Sequence, residues 1–317
     1  MTDVVDDRWG DVVARVEPGG HLVRTWEPDG GLSRAMTILE VDRADGSRRR
    51  LVVRRARHDL PGRHSLSVAE EHRLLRHLHA QGVAVPEPRL LDEAGTLLGS
   101  PCSVLDYVDG APLVGAEGCD ARRTGRTFAA NLASIHRLDA RVVAAEIDLP
   151  RRAALVARTL AEAPGVLDHT LREGVIRDVV GRRPPPRYEG PPRLLHGDFW
   201  PGNVIWLGDA IVAVIDWEDA ALGDPLADVA TTRLDLAWGF GPEATAAFTE
   251  HYFSLMPVDP TELPIWDLVA ALRPAGYLAT WAADWADFGR PDVTEEAMRA
   301  AHARFVDEAL DALGAPR

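Results

Sequence analysis

Three short apolar runs constrain this chain most. Leu194-Leu195 and Val204-Ile205-Trp206 bracket a turn containing His196, Gly197, Asp198, Pro201, Gly202 and Asn203, and the run Ile211 to Ile215 leads into Asp216. Apolar runs of this length, punctuated by glycine and proline, read as buried strands. Their polar residues then fall at strand ends and in the turn. His196, Asp198, Asn203 and Asp216 can therefore converge on one small volume.

Two carboxylates and an amide grouped in this way offer oxygen ligands of the kind magnesium prefers. Phosphoryl transfer depends on aligning an acceptor hydroxyl and neutralising phosphate charge, with little covalent help from protein. Asp198 precedes Asn203 by the spacing of the kinase catalytic loop. On this reading Asp198 is the base that takes the hydroxyl proton, Asn203 and Asp216 offer oxygens to Mg2+, and His196 braces the loop by hydrogen bonding. A single buried aspartate more often just ties loops together, so the weight lies on the ordered set rather than on any one residue.

The runs His-Gly-Asp-Phe-Trp-Pro-Gly-Asn at 196–203, Ile-Asp-Trp-Glu at 215–218 and Gly-Asp-Pro-Leu-Ala-Asp at 223–228 together resemble the aminoglycoside phosphotransferase and choline kinase superfamily. The resemblance covers about Gly30 to Asp228. It implies an α+β, two-lobed protein-kinase-like fold, with a small N-terminal antiparallel β-sheet lobe (1–107) and a larger, mostly helical C-terminal lobe (108–317). In that family the base falls on Asp198, the metal ligands on Asn203 and Asp216, and a residue supporting the catalytic loop from below on Asp228. Trp217-Glu218 stands where protein kinases have Phe-Gly. Glu218 is open between an indirect metal contact and a solvent-facing turn.

Ahead of this block, about His21 to Arg57 reads as three strands, with turns at Pro28-Asp29-Gly30-Gly31 and at Asp45-Gly46. Gly30-Gly31-Leu32-Ser33 occupies the place of the family's nucleotide-covering loop, which makes Ser33 a phosphate donor by resemblance. The third strand ends in Arg54 and Arg55, which point to opposite faces. A helix near Ser67 to Gln81 sets Glu71, Leu74, Leu75 and Leu78 on one stripe, so Glu71 should be buried and want a cation, whereas Glu70 lies off the stripe. By position the family's usual Lys falls on Arg54, a planar bidentate group in place of a movable point charge. Leu105-Asp106-Tyr107 resembles the inter-lobe hinge, implying nucleotide contact at Asp106 and Tyr107.

After Asp120 the chain is mostly helical. His136 sits near a helix carboxyl end, where it reads as a dipole-compensating cap. Farther on, Trp281, Asp284 and Trp285 fall within about one turn. They could form an acidic aromatic wall for a cationic acceptor, or simply pack in the core.

The formal net charge is -14, from 49 acidic and 35 basic residues. This argues against nucleic acid as a partner, and it suits a cationic small molecule. Cys102 and Cys119 have no metal-ligand spacing, no run approaches a membrane span, and the acidic amino terminus is unlike a signal. We therefore expect a cytoplasmic protein with reduced thiols and no membrane partner. The expected activity is transfer of the γ-phosphate of ATP or GTP to a hydroxyl of a small molecule such as an aminoglycoside or macrolide. A metabolite kinase of choline, homoserine or sugar type and a non-catalytic nucleotide-binding protein are the alternatives. A metal-dependent phosphoester hydrolase would need further His and Asp ligands.

Overall fold

The turn at Asp45-Gly46 shows how local chemistry starts the sheet. Gly46 takes φ +82, which glycine adopts without strain, and its N–H donates to Arg43 O at 2.9 Å. Asp45 Oδ1 accepts the Ser47 N–H at 2.9 Å. The computed structural model describes residues 7–27, 34–56, 65–112 and 120–315. Ser33, with its glycines, and Cys119 lie outside the described residues. The chain divides into two units, Met1–Gly110 with Val212–Glu218, and Ala111–Ile211 with Asp219–Arg317.

The first unit holds α1 (Asp7–Val16), β1 (His21–Trp26), β2 (Arg34–Asp42), β3 (Arg48–Ala56), α2 (Val68–Ala80), β4 (Pro88–Asp92) and β5 (Cys102–Asp106). The strands form one five-stranded antiparallel sheet in the order β1-β2-β3-β5-β4. Leu51 and Val53 of β3, Leu39 and Val41 of β2 and Val104 of β5 bury one face together with Val12 and Val13 of α1. Strand alternation then sends Arg54 to the other face. Arg55 remains on the α1 face, with its guanidinium 5.4 Å from the Trp9 ring. Ser67 caps α2 in a reciprocal capping box with Glu70, so Glu70 has a structural duty that the sequence reading did not give it. Glu71, Leu74, Leu75 and Leu78 are all buried.

The second unit is mainly helical: α3 (Ala121–His136), α4 (Ala140–Glu146), α5 (Arg152–Ala161) and α6 (Glu173–Arg182), then β6 (Arg193–Leu195) and β7 (Val204–Leu207). The chain leaves it along β8 (Ala210–Val214) and returns at β9 (Ala221–Gly223). There follow α7 (Leu226–Gly239), α8 (Gly241–Leu255), α9 (Leu263–Ala271), α10 (Leu278–Asp287) and α11 (Glu295–Leu313). β6 pairs antiparallel with β9, Leu195 opposite Ala221. Among the described residues no helix is long and apolar enough to cross a membrane. The architecture is therefore α+β, an antiparallel sheet followed by a larger helical part.

Candidate active site

β6 delivers the chain into the His196 turn, and α7 holds that turn by its backbone. Asp228, buried on α7, accepts the His196 N–H at 2.7 Å and the Gly197 N–H at 3.1 Å. Burial alone would raise the Asp228 pKa. The hydrogen bond from His136 and the charges of His136, Arg152 and His196 outweigh it, so the carboxyl titrates below its ordinary range. One helical turn on from Asp228, Thr232 Oγ1 donates to Phe199 O at 2.9 Å. His196 is fully buried, and its Nδ1 accepts the Asp198 N–H at 3.3 Å. Gly197 has φ +86, and a Cβ there would stand 2.0 Å from Asp219 O, so only glycine fits. A Cβ on Gly202 would meet the Trp200 ring at 2.1 Å.

His136 is not the helix-end cap read from the sequence. It is wholly buried, with Nε2 3.2 Å from Asp228 Oδ2 and Nδ1 2.7 Å from the Tyr252 hydroxyl.

Asp198 is held on both oxygens. Asn203 Nδ2 donates to Asp198 Oδ2 at 3.1 Å and to Asp198 O at 3.0 Å. Arg273, in the turn after α9, donates from Nη2 to Asp198 Oδ1. The other terminal nitrogen of Arg273 lies 3.5 Å from Asp235 Oδ2, and neither of these two atoms has a hydrogen-bond partner. Burial, with the charge of Asp198, pushes Asp235 up to about 7 against the opposing Arg273. Arg152 opens α5, and its flanks are tied to β9: Leu222 donates to Pro150 O at 2.9 Å, and Arg151 bridges Leu222. Its guanidinium stands in the field of Asp228, Arg273, Asp219 and Asp198. The sequence reading missed Arg273, Asp235, Thr232 and Arg152. The spacing of Asp228, Thr232 and Asp235 on one stripe of a mostly apolar helix was the available signal for the α7 residues; the two arginines had none.

Within the first unit, Arg54 forks between two carboxylates. Nη1 donates to Glu71 Oε1 and Nη2 to Asp216 Oδ1, both at 2.6 Å. Burial works against the guanidinium charge, but Glu71 and Asp216 more than offset it, and the Arg54 pKa rises. Glu71 Oε1 also accepts the Trp217 N–H at 3.2 Å. Asp216 has φ +62, an uncommon left-handed conformation for a non-glycine residue. Glu218 is buried, its carbonyl accepting the Leu66 N–H at 2.7 Å, which excludes the solvent-facing alternative.

Asp106 and Tyr107 are tied into the sheet. Asp106 accepts from Arg49 at 3.0 and 2.9 Å and from Arg89 at 2.5 Å, so its side chain is spent on strand cross-links, and its N–H donates to Glu87 O at 2.9 Å. Tyr107 donates its N–H to Arg50 O at 3.1 Å, and its ring lies 4.3 Å from the Arg50 guanidinium. Asp106, Tyr107, Asp109, Arg49 and Arg50 line a recess of about 490 Å³.

Trp281, Asp284 and Trp285 differ in burial. Trp285 is 2% exposed, edge-on to Trp200 and Phe240, and it packs so close to Gly239 that a Cβ there would clash at 2.2 Å. Trp281 stacks edge-on against Trp238 and lies 5.5 Å from the Arg273 guanidinium. Asp284 is half-buried, and burial, with Asp287 adding, raises its pKa. Asp267 is paired with Arg233 at 3.1 Å.

Among the described residues no group of three or more His, Cys, Asp or Glu side chains is gathered as a metal site. The donor chemistry that is present suits magnesium, which keeps waters and takes few protein oxygens. Asp216 Oδ2 in the first unit accepts no hydrogen bond from a described residue. In the second unit, Asn203 spends its Nδ2 on Asp198 and leaves its amide oxygen to other ligands.

Residues 39–272 match the family described as the phosphotransferase enzyme family. The chain is 29% identical over 230 residues to a homoserine kinase of Methylobacterium radiotolerans, covering 67% of this chain and 68% of that protein. In fold it resembles a type I macrolide 2'-phosphotransferase (22% identity, 96% and 98% coverage, TM-score 0.63). It also resembles a choline kinase of Streptococcus pneumoniae (15% identity, 96% of each chain, TM-score 0.57).

Proposed function

The chain belongs to the phosphotransferase enzyme family, and from that premise we propose that it transfers the γ-phosphate of ATP or GTP to a hydroxyl of a small metabolite, with Asp198 as the base. The acceptor oxygen forms a bond to the γ-phosphorus as the bridging bond to the nucleoside diphosphate breaks, and the hydroxyl proton passes to Asp198. The observation that carries this reading is the hold on Asp198: Asn203 fixes one oxygen at 3.1 Å, and Asp228 fixes the backbone of the turn that presents it.

His196 and Asp228 support the loop. Arg54, aligned by Glu71, orders the phosphates, and the backbone at Asp106 and Tyr107 meets the base of the nucleotide. Asn203 and Asp216 would each give an oxygen to Mg2+, which neutralises phosphate charge when bound. The metabolite reading is preferred to an antibiotic acceptor because the homoserine kinase likeness lies in sequence. The antibiotic-modifying and choline kinases resemble this chain at identities that speak for fold alone.

The test is γ-phosphate consumption from ATP and GTP with magnesium against hydroxy amino acids, amino alcohols, sugars, aminoglycosides and macrolides. Acceptor-dependent turnover that falls by about 10²–10⁴ in Asp198→Ala, with nucleotide affinity unchanged, supports the assignment. Undiminished turnover in that variant removes Asp198 as the base.

A further inference from the structure

Arg273 stands between two carboxylates of the helical unit and is bonded to one of them. Its Nη2 donates to Asp198 Oδ1, while Nη1 lies 3.5 Å from Asp235 Oδ2 with neither of these two atoms hydrogen-bonded. The Asp235 side chain is 6% exposed. A buried carboxylate with an unbonded oxygen favours its neutral form unless a cation moves onto it. One guanidinium cannot neutralise two carboxylates at once, so the proton on Asp235 and the hold of Arg273 on Asp198 are linked. The charged groups that act on Asp235 are Arg273 and Asp198, and Asp219, ahead of β9, acts on Arg273. Charged groups on the elements packed against α7 serve other partners: Asp267 of α9 pairs with Arg233, Glu308 of α11 bears on Asp267, and His302 of α11 meets Ala271 O at 2.9 Å. From α8, Thr249 meets Arg233 at 2.5 Å.

We propose that Asp235 is a positioning residue for the base: when neutral it leaves Arg273 on Asp198, and when charged it draws Arg273 away and opens Asp198 Oδ1 to the acceptor hydroxyl. The inference rests on Asp198 being the base. The exchange is short, because the guanidinium already presents one terminal nitrogen to each carboxylate and its planar fork suits either. The Trp281 ring flanks the guanidinium at 5.5 Å. Burial, with the charge of Asp198, sets Asp235 to change charge at about 7 against the opposing Arg273, far above its ordinary 3.8. Below that pH Arg273 stays on Asp198, as the structure shows it. Above it, Asp235 competes for the guanidinium, and phosphate transfer gains an unobstructed base.

Carbon-13 NMR of the full chain labelled at its aspartate carboxyls tests this without nucleotide or acceptor, with Asp198→Asn and Asp235→Asn assigning the two resonances. Between about pH 5.5 and 8.5, Asp235 is expected to titrate with a midpoint of about 7 and Asp198 to shift in step with it. In Asp235→Asn the Asp198 step should vanish. In Arg273→Gln, Asp235 should titrate at higher pH for want of its cation, with Asp198 no longer following, and Arg273→Lys should restore part of the step. An Asp235 resonance that stays flat in the wild type, an Asp198 step that survives in Asp235→Asn, or one that still follows Asp235 in Arg273→Gln overturns the proposal. Magnesium-dependent ATP turnover, with the acceptor found in the panel above, should rise about tenfold through this range in the wild type and lose that rise in Asp235→Asn. Turnover undiminished in Asp198→Asn, with the wild-type NMR step present, removes the base and leaves the exchange. Turnover lost in Asp198→Asn, with no wild-type step, does the reverse.

Discussion

His136 Nε2 lies 3.2 Å from Asp228 Oδ2, with both side chains essentially removed from water. Through this contact the end of α3 helps set the charge of the carboxylate that holds the His196 and Gly197 N–H groups. Because the folded pKa of Asp228 is lowered from 3.8, the stability it contributes is fully present above that value and is lost as pH falls through the folded pKa. Asp228→Asn should cost about 1–3 kcal/mol at neutral pH. Urea unfolding followed from pH 6 downward should show the gap between wild type and variant holding steady to about pH 4 and shrinking below it. A gap that stays constant through the acid range would mean the charge of Asp228 is not what the loop uses.

Arg54 and Glu71 form a buried pair in which removal of one partner strands the other. Arg54→Met should destabilise the protein by about 3–5 kcal/mol, and adding Glu71→Met should recover much of the loss. Denaturant unfolding of the two single variants and the double variant measures this directly. Additive losses would show that Arg54 and Glu71 do not depend on each other.

Gly197 and Gly208 both have positive φ but differ in surroundings. A Cβ at Gly197 meets Asp219 O at 2.0 Å, whereas one at Gly208 has nothing within 4 Å. Gly208→Ala should therefore cost only about 1–2 kcal/mol for the left-handed backbone. Gly197→Ala should lose about 2–5 kcal/mol, since overpacking against a backbone carbonyl adds to the strain. Equal losses in chemical denaturation would mean that the turn at Gly197 relaxes away from Asp219.

The groups that local chemistry marks were readable in the chain itself. Strand alternation assigned Arg54 and Arg55 to opposite faces, helical period placed Glu71 on the buried stripe of α2, and turn chemistry marked Asp45-Gly46. The ordered run from His196 to Asp228 pointed to the phosphotransferase family before any coordinates.

What stayed hidden depends on contacts between residues far apart in sequence. Arg273 reaches Asp198 across 75 positions, and His136 reaches Asp228 across 92. No periodicity or spacing encodes such pairs, because they depend on how helices pack after they form. For the same reason the helical spacing of Trp281, Asp284 and Trp285 left core packing and a ligand-facing wall both open. Whether that face met solvent or Trp200, Phe240 and Trp238 was decided by packing. The sequence by itself determined the loop that carries Asp198 and the sheet. Only the tertiary structure decided that Arg273 pairs with Asp198 in an acidic chain, because local charge is set by which side chains the fold brings together.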